Sequence, residues 1–256
     1  MRKAFTRLAV AIVLALGLAG PARAAGEAVE PLDVDWHFQG LFGQFDRAAA
    51  QRGLQVYREV CAACHALEFV AFRTLEDLGY SEDQVKALAA EYTVTDGPND
   101  QGEMFDRPAR PSDNFPPPYP NEPAARAANG GAYPPNLSLI TKAREDGPSY
   151  VYSLMLGYTE APAEEEAREG MYYNKYFPSH WLAMPQPLYE EGVTYTDGTP
   201  ATIEQMSYDV VNFLHWAAEP KLEARKSTGL SLLLFLIALT ALLYMTKRKI
   251  WAQVEH

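Results

Sequence analysis

Apolar positions along the chain fall into three patterns. The first is an apolar run of about a dozen residues, Leu8 to Ala19, preceded by Arg2, Lys3 and Arg7 and followed by Ala22-Arg23-Ala24. It is well short of the ~20 residues that cross a bilayer. A basic start, a short apolar stretch and a small-residue end predict a secretory signal over 1–24, cleaved after Ala24. The last pattern is different in kind. Ser227 to Met245 carries no charge over nineteen residues, about 28 Å as a helix at ~1.5 Å per residue. This predicts a transmembrane helix over 227–246, followed by a tail over 247–256. Lys247, Arg248 and Lys249 should keep that tail cytoplasmic, leaving the large N-terminal part outside the membrane of a bacterial cell, on the periplasmic side.

Between the two lies one external domain, 25–226, in which helical spacing alternates with loop composition. Two helical pieces are expected from Asp46 to about Leu78, joined at the stretch EVCAACHALEF, and another from Pro148 to Tyr158 with Val151, Leu154 and Met155 on one face. A last soluble helix begins at Thr202, where Thr202 and Gln205 suggest a capping box. Its apolar residues Ile203, Met206, Val210, Leu214 and Ala217 keep helical spacing up to Pro220. From Thr93 to Leu137 the chain is dense in Pro, Gly, Asn and Asp, which interrupt regular ladders. Phe105, Phe115, Tyr119 and Tyr133 argue against a free linker, so a long extended loop packed on the domain is expected. Its acidic cluster, Asp96 to Glu103, is no calcium loop, because an EF-hand register from Asp96 puts Gln101 at the glycine position. EAPAEEEAREG reads as a solvated acidic segment, and the aromatic, Pro-rich stretch after it as loop with short strand.

Charge narrows the partners. The chain has 22 Lys+Arg and 33 Asp+Glu; setting aside four bases before residue 25, and three bases with Glu255 after 246, leaves 15 against 32, a net −17 on the external domain. That balance speaks against nucleic acid and for a basic protein partner, although it also serves plain solubility.

The chemistry sits in Cys61-Ala-Ala-Cys64-His65, which contains both cysteines of the chain. A disulfide across so short a loop would remove little chain entropy. A redox pair would need a βαβ surround and a helix N-terminus to lower a thiol pKa. Covalent haem c fits best: Cys61 and Cys64 take the two vinyl groups, and His65 falls where its imidazole reaches the iron. The other axial ligand must come from Met104, Met155, Met171, Met184, Met206, His37, His180 or His215. Met155 and Met206 lie on helical apolar faces, where methionine is usually core filler, and His215 beside Trp216 reads as a packed histidine. Met184 stands out because Pro185 and Pro187 fix an extended backbone around it. Met104 and His180 come next.

The ordered pieces RGLQVYREVCAACHAL, NGGAYPPNLSLITKAR, GPSYVYSLMLGY, REGMYYNKYFP, LAMPQPLY and DGTPATIEQMSYDVVNFLHWAAEP, with the C-terminal span and basic tail, closely resemble the cytochrome c1 family, the haem subunit of the cytochrome bc1 complex. The resemblance runs from Asp33 to the end. It implies a mostly α, class I cytochrome c-like haem domain with long loop insertions, anchored by one C-terminal transmembrane helix. It further implies Met184 as the sixth ligand, Pro134-Pro135 packed near haem, and Arg144 and Tyr150 at a haem propionate. The implied partners are cytochrome b and the Rieske iron-sulfur protein within a dimeric bc1 assembly, with a basic cytochrome c as acceptor. With two protein ligands on the metal, the iron would carry electrons and bind no substrate. The chain departs from the pattern at Asn136, where relatives often have Asp, and in lacking the extra cysteine pair that braces the Met-ligand region of some bacterial relatives.

Overall fold

The computed structural model describes residues 29–252 apart from Glu164. The expected signal over 1–24 therefore lies outside the described residues, as does the end of the tail.

The architecture is mostly helical. Helix α1 (Arg47–Glu59) is started by Asp46, whose carboxylate accepts from the Ala49 N–H at 3.0 Å. A 3-10 turn, Cys61–Ala63, follows directly. Contrary to the expectation of helix on both sides of the motif, residues 65–71 are irregular, and the next piece, Phe72–Leu78, is 3-10 helix. The departure from helix frees the backbone groups of His65, Ala66 and Phe69 for partners elsewhere in the chain. Helix α2 (Glu82–Ala90) carries a capping box between Ser81 and Gln84.

The Pro- and Gly-rich stretch is more ordered than its composition suggests. It holds an antiparallel hairpin, β1 (Thr93–Asp96) with β2 (Phe105–Pro108), in which Arg107 bonds both Asp96 and Asp113. It also holds helix α3 (Glu122–Ala128), capped by Asn121. Phe115 is buried among Tyr57, Phe72 and Tyr92, as a packed loop requires, whereas Phe105 and Tyr133 remain exposed.

Helix α4 (Gly147–Leu156) precedes two short paired strands, β3 (Tyr172–Tyr173) and β4 (Trp181–Leu182). Helix α5 (Ile203–Ala218) starts at Thr202, whose hydroxyl accepts from the Gln205 N–H at 3.1 Å. The reciprocal half of the expected capping box is missing. Gln205 instead donates forward to Asp209 at 3.0 Å, because that wholly buried carboxylate needs donors.

Helices α1 and α5 cross at Gly53, where an added Cβ would stand 2.0 Å from the Asp209 carbonyl oxygen. Only glycine permits that approach. Beside the crossing, the Arg52 guanidinium forks onto both oxygens of Asp209 at 2.9 Å and reaches Asp197 at 3.0 Å. The core spreads from this contact through Leu54, Tyr57, Phe72, Val210, Phe213 and Trp216.

After Pro220 a single helix, α6 (Leu222–Trp251), runs for 30 residues. It is longer at both ends than the apolar run, so Lys247, Arg248 and Lys249 continue the helix. Its apolar window is left uncovered by the other described residues, as a membrane anchor requires. Its first turns belong to the domain that precedes it: Leu222 is buried, Glu223 accepts from Arg47 and from the Phe45 N–H at 2.8 Å, and Lys226 donates to the carbonyls of Phe38 and Gly43.

Candidate haem site

Cys61, Cys64 and His65 sit on one tight turn, closed by bonds from the N–H groups of Cys64 and His65 to the Cys61 carbonyl. The two cysteines form no disulfide. Burial, with Cys64 beside it, pushes the Cys61 thiol up to about 12. A redox-active pair needs the opposite shift, which speaks against thiol exchange.

The histidine is held from two sides. The hydroxyl of Tyr57, from the buried face of α1, donates to the His65 carbonyl at 3.1 Å. The ring Nδ1 lies 2.8 Å from the Pro135 carbonyl, an acceptor only, so Nδ1 carries the proton and the lone pair is left on Nε2. Burial lowers the imidazole pKa, against the opposing pull of that carbonyl. A neutral ring with Nε2 free is the form that binds iron.

Residues 135–138 form a strap along the motif. Besides Pro135 on His65, Leu137 N–H donates to the Ala66 carbonyl at 2.9 Å and Ser138 Oγ accepts from Phe69 N–H at 3.1 Å. Asn136 donates to Glu68 at 2.7 Å, while its own oxygen accepts from Ser138 N–H. An aspartate at this position could not donate to Glu68. Here an amide removes a like-charge contact and keeps the strap closed.

Arg144 and Tyr150 lie close together: burial raises the Tyr150 hydroxyl pKa and the Arg144 charge lowers it. The Arg144 guanidinium bonds the neighbouring Ala143 carbonyl and, among the described residues, forms no ion pair. It is exposed and available to an anionic group.

Met184 lies in the half-buried segment between β4 and α5, with its carbonyl accepting from the Tyr158 hydroxyl at 3.0 Å. The other candidates are placed as follows. Met206 is wholly buried in the core, Met155 packs against it, and Met104 is 60% exposed beyond the hairpin turn. His37 Nδ1 pairs with Tyr208 at 2.9 Å. His215 Nδ1 pairs with Thr141, its ring stacked on Phe38. His180 stacks on Tyr173. Met171 lies at the start of the β3 segment.

Three residues that support this site carry no motif of their own. Tyr57 and Tyr158 are two of many tyrosines until the fold aims their hydroxyls at His65 and Met184. Asn174 is wholly buried, donating to the Leu154 carbonyl at 2.7 Å and accepting from Tyr176 N–H at 3.0 Å. It ties the end of α4 to the segment that leads to Met184.

The chain's own donors thus fit a covalently attached haem, and the fold adds one uncovered apolar helix. Together they define a membrane-anchored c-type cytochrome. Comparison with known proteins agrees. The Cytochrome C1 family matches residues 36–254. Cytochrome c1 of Rhodospirillum rubrum is 48% identical over 97% of both chains. Mitochondrial cytochrome c1 1 of Arabidopsis thaliana is 50% identical over 90% of this chain and 75% of its own. Cytochrome b/c1 of Bradyrhizobium diazoefficiens is 50% identical over 98% of this chain, which spans 40% of that longer protein. The chain belongs to the cytochrome c1 family, whose members carry covalent haem c and transfer electrons in respiratory chains.

Proposed function

We propose that this chain receives one electron at a time from a Rieske iron-sulfur protein and passes it to a basic cytochrome c. In this reading it works as the haem subunit of a dimeric bc1 assembly with cytochrome b, with its haem domain on the periplasmic side. Haem c, when bound, supplies the ferric/ferrous couple. Cys61 and Cys64 would hold it by thioethers, His65 would offer Nε2 and Met184 its thioether, and Arg144 with Tyr150 would receive a propionate. Pro135 keeps the proton on His65 Nδ1, and Tyr57 and Tyr158 fix the two ligand-bearing backbones.

The observation that carries the reading is the His65–Pro135 bond, which leaves a neutral Nε2 free on the residue directly after Cys64. Direction across the membrane rests on Lys247, Arg248 and Lys249 at the far end of α6. The test is purification from detergent-solubilised membranes. A reduced c-type spectrum that survives acid-acetone extraction, together with cytochrome b and Rieske protein in the same complex, is the expected result. A haem protein that purifies alone would make it a free-standing tethered carrier. A Soret shift on adding carbon monoxide to the reduced protein would mark an open iron and a different chemistry.

A further inference from the structure

Residues 36–45, WHFQGLFGQF, contain no Asp, Glu, Lys or Arg, in a domain of net −17. The middle of this stretch is a compact loop. Gln44 N–H donates to the His37 carbonyl at 3.0 Å and closes it, and Gln39 N–H donates to the Trp36 carbonyl at 2.9 Å. At its neck, a Cβ on Gly43 would stand 1.9 Å from the Gln39 carbonyl oxygen, so the loop closes only with glycine there. Phe38 and Phe45 on either side are buried and face each other with ring centres 5.5 Å apart. The tip points outward instead: Leu41 is 56% and Phe42 77% exposed. The loop thus buries two phenylalanines and presents a third, beside a leucine, as an exposed apolar tip.

The position of the loop says which partner. Lys226 Nζ donates to the Phe38 carbonyl at 2.6 Å and to the Gly43 carbonyl at 3.1 Å, clamping both ends of the loop. Lys226 is also the last residue before the uncharged run of α6 begins at Ser227. The loop therefore sits level with the entry of α6 into the bilayer. Around that entry the charges are mixed: Lys221, Arg225 and Arg47 pair with Asp77, Glu219 and Glu223, and Lys226 holds the loop carbonyls, a polar belt of the kind found at a headgroup layer.

We infer that the loop 39–43 is a second membrane contact, with Leu41 and Phe42 seated in the interfacial layer of the lipid leaflet through which α6 enters. Two points of attachment, a spanning helix and an interfacial loop clamped to its first turn, restrict swinging and rotation of the haem domain about α6. The domain is thereby held in one attitude to the membrane rather than left to swivel on a single stalk. The inference rests on the reading of α6 as a membrane span.

The test places single cysteines for nitroxide labelling in the full, haem-loaded chain, where haem occupies Cys61 and Cys64. The labelled variants are Phe42→Cys, Leu41→Cys, Ala238→Cys within α6 and Glu103→Cys on the far hairpin. Each is measured in bilayer discs of phosphatidylcholine and phosphatidylglycerol, as the isolated chain and assembled with cytochrome b. Collision with oxygen, enriched in lipid, is compared with collision with a water-soluble nickel chelate. The expected result is oxygen-dominated relaxation at 41, 42 and 238 in both preparations, shallower at 41 and 42, and nickel-dominated relaxation at 103. Nickel-dominated relaxation at 41 and 42 with a lipid-exposed 238 overturns the loop contact alone; a water-exposed 238 overturns the span. Protection of 41 and 42 from both reagents only in the complex overturns lipid as the occupant and assigns the loop to cytochrome b. Having two tip positions keeps the test decisive if one label disturbs the haem spectrum.

Discussion

The hydroxyl of Tyr158 donates to the backbone carbonyl of Met184 across 26 residues of chain. Tyr158 follows α4, whose end is tied by Asn174, while Met184 lies two residues past β4, in the irregular segment that leads to α5. In a chain with no cysteine pair to brace this segment, a side-chain bond to the backbone of Met184 is the restraint that fixes where its thioether can go. Burial raises the Tyr158 pKa further above neutrality, so it remains a donor at any physiological pH.

Two substitutions separate ligand from restraint. Met184→Leu should keep covalent haem, since Cys61, Cys64 and His65 are untouched. It should also lower the potential by a large margin and let carbon monoxide bind the reduced protein. Tyr158→Phe removes one hydrogen bond, worth ~1 kcal/mol, and should give partial carbon monoxide binding with most of the native spectrum retained. A Met184→Leu protein with near-native potential, inert to carbon monoxide, rules Met184 out as the ligand.

Where the chain is cut at the membrane end should matter by a few residues. A stop after Lys226 preserves the buried Leu222, the Glu223 bonds to Arg47 and Phe45, and the Lys226 clamp. It should yield a soluble, haem-loaded domain. A stop after Glu219 removes all of these and should cost roughly 2–4 kcal/mol, from burial of one leucine and loss of several bonds. Denaturant midpoints of the two soluble domains measure the difference; equal midpoints would show that the first turns of α6 contribute nothing to the fold.

What was legible beforehand follows from how locally each feature is determined. The attachment motif, the α5 apolar spacing and the uncharged run of α6 are written in neighbouring residues, and the structure places helix or tight turn at each. The features misread depend on distant groups. Gln205 would cap α5 reciprocally if Asp209 were exposed, but Arg52 and Gly53 of α1 bury that carboxylate, and the amide goes to it instead. Residues 65–71 have helical composition, yet their backbone bonds go to the strap at 135–138 and to Tyr57. Glu165 is exposed, as the acidic segment predicts, and the Trp181 indole, sixteen residues on, also donates to it at 2.8 Å. Residues that serve the site only by aiming a hydroxyl at a distant carbonyl leave no local signal at all.

His215 should give the domain an acid-side weakness. Its ring, stacked on Phe38 and set against Thr141, is lowered to about 4 by burial, with Lys142 and Lys226 adding to the effect and Glu219 opposing it. In the unfolded chain it titrates near 6.5. Below ~6.5 the unfolded state therefore binds a proton that the folded state refuses, and stability falls as pH drops from 6.5 towards 4. The full effect is on the order of 2–3 kcal/mol. His215→Gln should flatten the decline between pH 7 and 5 in denaturant titrations, leaving only the steeper carboxylate losses below. An unaltered slope would mean that His215 is already charged in the fold.

The acidic surface should set the rate of encounter with the acceptor. In the loop after α4, Glu164 lies outside the described residues, and the Glu165 carboxylate is engaged by Trp181. Glu166 is exposed and, among the described residues, forms no ion pair. Replacing all three glutamates by glutamine would mix a charge effect with loss of the Trp181 contact. Glu166→Gln alone tests charge. A unit charge ~10 Å from a basic partner is worth ~0.4 kcal/mol in water, roughly a twofold change in encounter rate. Electron transfer from the reduced protein to a basic cytochrome c should slow as ionic strength rises towards ~0.15 M, where the field reaches only ~8 Å. Glu166→Gln should lower the low-salt rate about twofold and reduce the salt slope, because steering acts on association. The haem spectrum should stay unchanged, as the substitution touches neither ligand. Glu82→Gln on α2, which removes a charge already paired with Lys86, serves as the comparison. An unchanged slope in Glu166→Gln would put the docking face elsewhere on the domain. A wild-type rate insensitive to salt would exclude a basic acceptor.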